Sequence, residues 1–357
     1  IAAHPNKEPI LQKAKSYGLS NQLIARLWNT TPEQVYQMSI DHQLLTKYKE
    51  IEPSAGEFDQ HTNSFYSAYE EENEISRTAQ PSALVIGTGG LRLGLSNSGD
   101  YFVAMMLKEL HNEGFNNVIV NSNPSSVTFD PELAEKRYVE PATIENILQI
   151  LRIEQPQYLF IPTSYDKLLK SLQNYDLDVK IIVIPDELPT TAASSDKQRY
   201  FFNYVYDGNY AYPLGTMTDL FSPIALNYQS TALRYPADLP SSTYQNLNDQ
   251  ASVAVLKMEQ PGLYQVIFEE NDGEFNLMKV QPLSLPEVSF LSKALHISLP
   301  GIFTQLFTGK FDKMLEPKPV SGIVNYRATF PFKALRVKGG IPARNRVIGA
   351  QMQFLGE

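Results

Sequence analysis

The chain has 357 residues, enough for a sizeable core and for two domains or more. A formal net charge of −9 excludes the basic footprint of a nucleic-acid binder and argues against attachment to anionic membranes. Hydrophobic and charged shares are those of an ordinary globular chain, no apolar run approaches the roughly 18 residues that span a bilayer, and the absence of cysteine excludes disulfides, thiolate metal sites and a cysteine nucleophile while fitting a cytoplasmic location.

The first residues, IAAHPNKEP, lack the charged and apolar regions of a signal peptide, and an initial Ile points to a piece of a longer or processed polypeptide. Pro9 to about Asp41 reads as helical. Leu11 and Ala14 lead into a break at Gly18, Leu19 and Ser20, where Ser20 is placed to cap a helix carrying Leu23, Ile24 and Leu27. Thr31, Pro32 and Glu33 start another helix, with Pro at its first position. Tyr48 to Gln80 is polar, with the acidic cluster Glu70, Glu71 and Glu72, and reads as a solvated connector.

Strand-like runs follow at Ala83–Ile86, Val118–Asn121, Tyr158–Ile161 and Lys180–Pro185. They alternate with helical patterns, the arrangement that builds a doubly wound parallel sheet. Ser194 to Asn203 reads as a short helix, and the aromatic, proline-bearing text from Tyr204 to Pro240 as strands and turns. Thr243 to Met258 fits a helix, Gly262 to Val280 a hairpin turning at Asn271, Asp272 and Gly273, and Leu291 to Lys310 one helix. The tail from Val324 to Gly356 holds strand-like runs split by Gly339 and Gly340.

Several stretches resemble the second, carbamate-phosphorylating half of the carbamoyl phosphate synthetase large chain. LQKAKSYGLSNQLIARLWNTTPEQV is similar to the end of that family's helical oligomerisation domain, and GEFDQHTNSFYSAYEEENE to the connector that follows. ALVIGTGG, the NSNP turn and the text to Tyr165 resemble its pre-ATP-grasp domain. SDKQRYFF, the run from YVYDGNYAYPLGTM to SLPEVSFLSKALHISL, and the tail FPFKALRVKGGIPARNRVIGAQM resemble parts of its ATP-grasp domain. The resemblance implies an α/β chain: a helical segment (1–47), a connector (48–81), a pre-ATP-grasp sheet domain (82–188) and a reduced ATP-grasp α+β domain (189–357) lacking its lid subdomain.

The family transfers a phosphoryl group from ATP, chemistry that needs Mg²⁺ on carboxylate and amide oxygens and cations around the phosphates. The family's metal-binding Glu-Val-Asn-Pro segment, with Arg next, corresponds here to Lys279, Val280, Gln281, Pro282 and Leu283. A further ligand position corresponds to Ile267. An ammonium repels a divalent cation, and Leu and Ile offer no oxygen, so no metal site is expected. The lid, inserted in the family around Phe201 to Tyr204 with its phosphate loop, is missing, so the backbone N–H cradle goes with it. The closing Arg-Ser-Thr-Gly-Glu motif keeps Arg346 and Gly349 but loses its polar pair and its Glu, the family's His-Ser-Gly-Asp-Ser run becomes Asn227 to Thr231, and a Gly-Gly-Gln at a strand end becomes Pro162, Thr163 and Ser164.

The resemblance therefore implies a catalytically degenerate half, a pseudoenzyme acting as scaffold, oligomerisation surface or regulator, with no cofactor expected. Its partner would be a catalytic synthetase half or a glutaminase-type small chain. Two alternatives stand beside it. One is an active ligase that still uses Mg-ATP, with Lys279 or Arg346 replacing metal charge. The other is a small-ligand module using the turn at Gly87, Gly89 and Gly90 with Arg92, where a helix N-terminus can take a phosphate. Lys197, where the family has an arginine, and nearby Arg199 read as solvated helix-face charges. The five His residues show no metal-ligand spacing.

Overall fold

The computed structural model describes residues 7–88, 96–186, 197–220, 232–312, 317–318, 321–329 and 349–355. It separates into two compact units: residues 1–89, 114–161 and 165–183 form one, and residues 90–113, 162–164 and 184–357 the other.

The first unit opens with three helices, α1 (Lys7–Ser16), α2 (Asn21–Trp28) and α3 (Pro32–Asp41). The expected caps are present. Ser20 accepts from the Leu23 amide at 3.2 Å, and Thr31 forms a reciprocal box with Gln34 in front of Pro32. The turn between α1 and α2 needs a left-handed residue, which Gly18 supplies at φ 74°. Leu11, Ile24, Ala25, Trp28 and Val35 bury one another in a small core.

Two strands follow, β1 (Lys47–Glu50) and β2 (Ser64–Ala68), then β3 (Ser82–Ile86). The chain runs through α4 (Ser96–Asn112) of the second unit and returns as β4 (Asn116–Asn121), β5 (Lys136–Val139), α5 (Ile144–Glu154), β6 (Tyr158–Pro162), α6 (Asp166–Leu172) and β7 (Lys180–Ile184). The sheet order is β1-β2-β5-β4-β3-β6-β7. β2, β5, β4, β3 and β6 run parallel, and β1 pairs antiparallel with β2. The order reverses beside β3, the hallmark of a doubly wound sheet. β3 is buried at every position, as a central parallel strand must be.

The segment read as a solvated connector is thus in part structure. Tyr48 and Phe65 enter the sheet core at 0% and 4% exposure, while the charges around them hide the alternation. Glu74 accepts from the Lys49 ammonium at 2.9 Å and the Glu50 amide at 2.8 Å, so part of the acidic text clamps β1. Behind β5 a buried carboxylate gathers the neighbouring segments. Glu154, fully buried at the end of α5, accepts from Lys136 Nζ (2.8 Å), the Tyr138 hydroxyl (2.5 Å) and the Thr78 amide (2.9 Å).

The second unit is an antiparallel sheet: β8 (Arg199–Tyr206), β9 (Ala211–Asp219), β10 (Ala232–Tyr235), then α7 (Ser241–Val255), β11 (Gly262–Asn271), β12 (Glu274–Pro282), α8 (Leu285–Leu295), α9 (Leu299–Thr308), β13 (Ile323–Thr329) and β14 (Gly349–Leu355). Its order is β12-β11-β8-β9-β10-β13-β14. Phe202, Tyr204, Val266 and Phe268 cover one face beneath Leu247, Ala251 and Val255 of α7. The hairpin of β11 and β12 turns at Asp272 and Gly273, both at positive φ. The helix read at Ser194 to Asn203 is replaced by β8: Arg199 to Tyr206 alternates between two covered faces, so nearly every position is apolar or buried and no helical stripe marks it. The one long helix read near the end is two, because His296 leaves α8 in the left-handed region and Ser298 caps α9 ahead of Pro300. In the same unit Phe303 of α9 meets Phe102 of α4 edge-on at 5.4 Å, and Gln305 donates to Glu109 at 2.6 Å. Among the described residues no helix is long and apolar enough to cross a membrane.

Removing one partner of a buried pair strands the other charge, at a cost of about 3–5 kcal/mol. Lys136→Met is therefore expected to lower the unfolding free energy from urea titration by that order, with a lower midpoint, and adding Glu154→Gln to recover part of it. Equal midpoints for wild type and Lys136→Met would show that Glu154 does not depend on this ammonium.

Candidate functional site

Of the positions singled out in the sequence, Gly89, Gly90, Arg92 and Arg346 lie outside the described residues, as do Asn227 to Thr231. Gly87, Lys197, Ile267, Lys279, Gln281 and Leu283 are described. Gly87 stands alone in the first unit, and the other five lie in the second, on or beside the sheet.

Gly87 follows the last residue of β3. Its φ is not positive, so a left-handed turn is not what calls for glycine. The reason is space: a Cβ at Gly87 would lie 2.4 Å from the Asn121 Nδ2 and 2.8 Å from its Cγ. Asn121, 2% exposed at the end of β4, accepts from the Asn123 amide at 3.0 Å and donates to Thr128 Oγ1 at 3.3 Å. The Asn-Ser-Asn-Pro turn is thus pinned through Asn121, and the glycine makes room for that amide.

In the second unit the antiparallel register sets three carboxamides in a row. Asn203 on β8 faces Gln265 on β11, which faces Gln281 on β12. Gln265 Nε2 donates to Asn203 Oδ1 and to Glu287 Oε1, both at 3.2 Å, and its oxygen accepts from Gln281 at 3.4 Å. Asn203 donates to the Phe201 and Gly215 carbonyls at 3.0 and 3.1 Å. Glu287, fully buried, closes the capping box of α8, accepting from the Ser284 hydroxyl at 2.6 Å and amide at 3.0 Å. Burial pushes its carboxyl upward, against the opposing pull of the Ser284 bonds, Gln265 and the Arg199 charge.

Two residues further along the same face, Ile267 pairs with Lys279 and with Phe201. Ile267 is fully buried, Leu283 is 1% exposed and Gln281 2%. At the end of the row, Arg199 makes an ion pair with Asp219, Nε and Nη2 each 2.7 Å from Oδ2, and both side chains are almost wholly out of water. Next to it Glu269, the partner of Arg199 in the β11 register, lies 3.6 Å from Lys197. Burial raises the Asp219 carboxyl to about 6, outweighing the attraction of Arg199. The reading of Lys197 and Arg199 as solvated helix charges is corrected in part: Arg199 opens a strand and is 4% exposed, whereas Lys197 is exposed but precedes that strand and lies within ion-pair distance of Glu269. The lid join expected between Phe201 and Tyr204 falls inside continuous β8.

The residues at the expected metal positions do not fit Mg²⁺. Ile267 and Leu283 have no donor atom, Lys279 brings a positive charge, and the remaining oxygen is Gln281 Oε1, buried without a partner among the described residues. A hard cation needs several oxygens around it, and one amide does not supply them. Among the described residues there is no group of three or more His, Asp or Glu side chains that could hold a metal ion. The Arg199–Asp219 pair went unread in the sequence. Its only signal is period-two alternation of Arg199, Phe201 and Asn203, which disappears when the segment is taken as a helix.

Residues 79–183 match the family model for the carbamoyl phosphate synthase preATP-grasp domain. Part of the chain is similar in fold to the Kluyveromyces lactis urea carboxylase (14% identity, TM-score 0.46), covering 70% of this chain and 24% of that one. It is likewise similar to biotin carboxylase from Campylobacter jejuni in complex with beta-gamma-ATP (10% identity, TM-score 0.48, covering 69% and 75%) and to pyruvate carboxylase from Rhizobium etli (12% identity, TM-score 0.48, covering 69% and 30%). This chain spans about a quarter of the first of these proteins, and likeness at such identity says nothing of activity.

Two expectations follow. Gly87→Ala should cost about 1–3 kcal/mol by overpacking against Asn121, and Gly87→Ala with Asn121→Ala should regain part of it, read by urea unfolding without any ligand. A Gly87→Ala protein as stable as wild type would assign the glycine another role. Asp219 is held above its ordinary 3.8, so between about 4 and 6 the folded state binds the extra proton and this group's contribution to stability falls as pH rises. The stability of Asp219→Asn relative to wild type should therefore improve from pH 4 to pH 7, and a pH-independent difference would contradict the raised pKa.

Proposed function

We propose that this chain is a catalytically degenerate half of a carbamoyl-phosphate-synthetase-like large chain that serves as scaffold, oligomerisation surface or regulator for a catalytic partner. That partner is a synthetase half on the same or another polypeptide, or a glutaminase-type small chain. The preATP-grasp match over residues 79–183 supports the family part of this reading.

The observation that carries the degenerate part is the strand face of β11 and β12. Where phosphoryl transfer would need several oxygens converging on a cation, the chain buries Ile267 and Leu283 and offers a single amide oxygen, that of Gln281, whose Nε2 donates to Gln265. Charge neutralisation and positioning are nearly all of what such an enzyme contributes, so their loss removes the catalysis and leaves the scaffold intact. The Arg199 guanidinium is engaged by Asp219 Oδ2, so that cation is not left free for a phosphate.

Titration of Mg-ATP and Mg-ADP into the purified chain followed by heat is expected to show no saturable binding. Saturable, magnesium-dependent heat would sink the proposal and favour an active ligase, and Lys279→Ala, Arg346→Ala and Lys197→Ala would then locate the altered site.

A further inference from the structure

At the end of the parallel sheet where its strands begin, a cavity of about 530 Å³ opens within the first unit. It is bounded by the residues that lead into β3, β6 and β7: Arg77, Gln155 with Pro156, and Asp176 to Val179. Ligands of open α/β sheets ordinarily sit at the opposite, carboxyl ends of the strands, so this is a separate place. Its size falls within the roughly 300–1,000 Å³ typical of small-molecule pockets.

The floor is apolar. Leu148 and Leu151 of α5 are 4% and 7% exposed, and Leu177 and Val179 complete it. One wall is aromatic: Tyr36 of α3 and Tyr175 meet edge-on with ring centroids 5.8 Å apart. The rim carries charge of both signs, Arg77 and Arg152 against Asp176 and Asp178. Arg77 is held in place, its Nε donating to the Glu154 carbonyl at 3.3 Å. Among the described residues none of these four forms an ion pair, although the chain pairs charges elsewhere, as at Lys136 with Glu154 and Arg199 with Asp219.

Two guanidiniums and two carboxylates held apart around an apolar cup leave opposite charges for a guest to meet. A guanidinium takes a carboxylate with two parallel hydrogen bonds, an aspartate takes an ammonium, and the floor and tyrosines take an apolar body. A purely anionic guest would face Asp176 and Asp178, and a purely cationic one would face the arginines. We propose that this pocket binds a small zwitterion with an apolar or aromatic side group, the chemistry of a free α-amino acid, with its carboxylate at Arg77 and Arg152 and its ammonium at Asp176 and Asp178. The pocket belongs to the first unit and the sheet face of β11 and β12 to the second, and occupancy of the pocket would let the chain sense a metabolite. It does not depend on the pseudoenzyme reading: an active ligase would carry the same pocket.

The test is calorimetric titration of the full chain with L-phenylalanine and L-leucine, beside 3-phenylpropionate, which lacks the ammonium, and phenethylamine, which lacks the carboxylate. At least one amino acid should bind saturably, and each half-analogue about tenfold or more weaker than L-phenylalanine, since each forfeits a charge-assisted contact. Arg152→Gln should weaken L-phenylalanine and 3-phenylpropionate while leaving phenethylamine unchanged, and Asp178→Asn should weaken L-phenylalanine and phenethylamine while leaving 3-phenylpropionate unchanged. Both positions are exposed, so unchanged thermal melts separate these effects from misfolding. Absence of saturable binding by both amino acids, binding of a half-analogue as tight as that of L-phenylalanine, or indifference of amino-acid binding to both substitutions would overturn the proposal.

Discussion

An arginine and an aspartate taken out of water together set the character of the antiparallel sheet. Arg199 and Asp219 sit on adjacent strands with both side chains nearly inaccessible, and the guanidinium grips a single carboxylate oxygen. Burial of charge is costly, and the Coulomb attraction repays it only while both partners are present. That Asp219 is held upward despite Arg199 shows desolvation to be the larger effect. Its other oxygen, Oδ1, has no partner among the described residues, so the pair is tolerated rather than optimised.

The same face continues as a ladder of carboxamides across three strands, ending on the buried acid that caps α8. Period-two alternation puts Arg199, Phe201 and Asn203 on this face and sends Tyr200, Phe202 and Tyr204 to the other, beneath α7. Each amide on the ladder is engaged by a neighbour, and among the described residues the Gln281 oxygen is left over. A face so arranged orders strands and a helix cap.

The parallel sheet of the other unit relies on a comparable device at its own base. Glu154 draws Lys136, Tyr138 and the Thr78 backbone onto the end of α5, so the strand that joins β2 to β4 and the residues before β3 are fixed by one carboxylate. This lets polar text such as Lys47 to Glu50 form a strand: Tyr48 and Phe65 supply the buried positions, Glu70 and Glu74 take up Lys49, and β5 offers an edge to pair with. Propensity does not favour those strands, and the neighbouring edge does.

By itself the sequence determined the parts whose signals are local. The capped helices at Ser20 and Thr31, the apolar runs of β3, β4, β6 and β7, and the hairpin turn at Asp272 and Gly273 each lie within a few residues of their cause. It also determined what stands at the would-be metal positions, because Lys279, Ile267 and Leu283 lack the necessary oxygens wherever they are placed. Only the tertiary structure decided that Arg199 begins a strand and finds Asp219, that Gly87 is small on account of Asn121, and that Arg77, Arg152, Asp176 and Asp178 rim one pocket. Those relations join residues far apart in the chain through strand register and helix packing, and a side chain's charge and shape do not reveal which distant partner will face it.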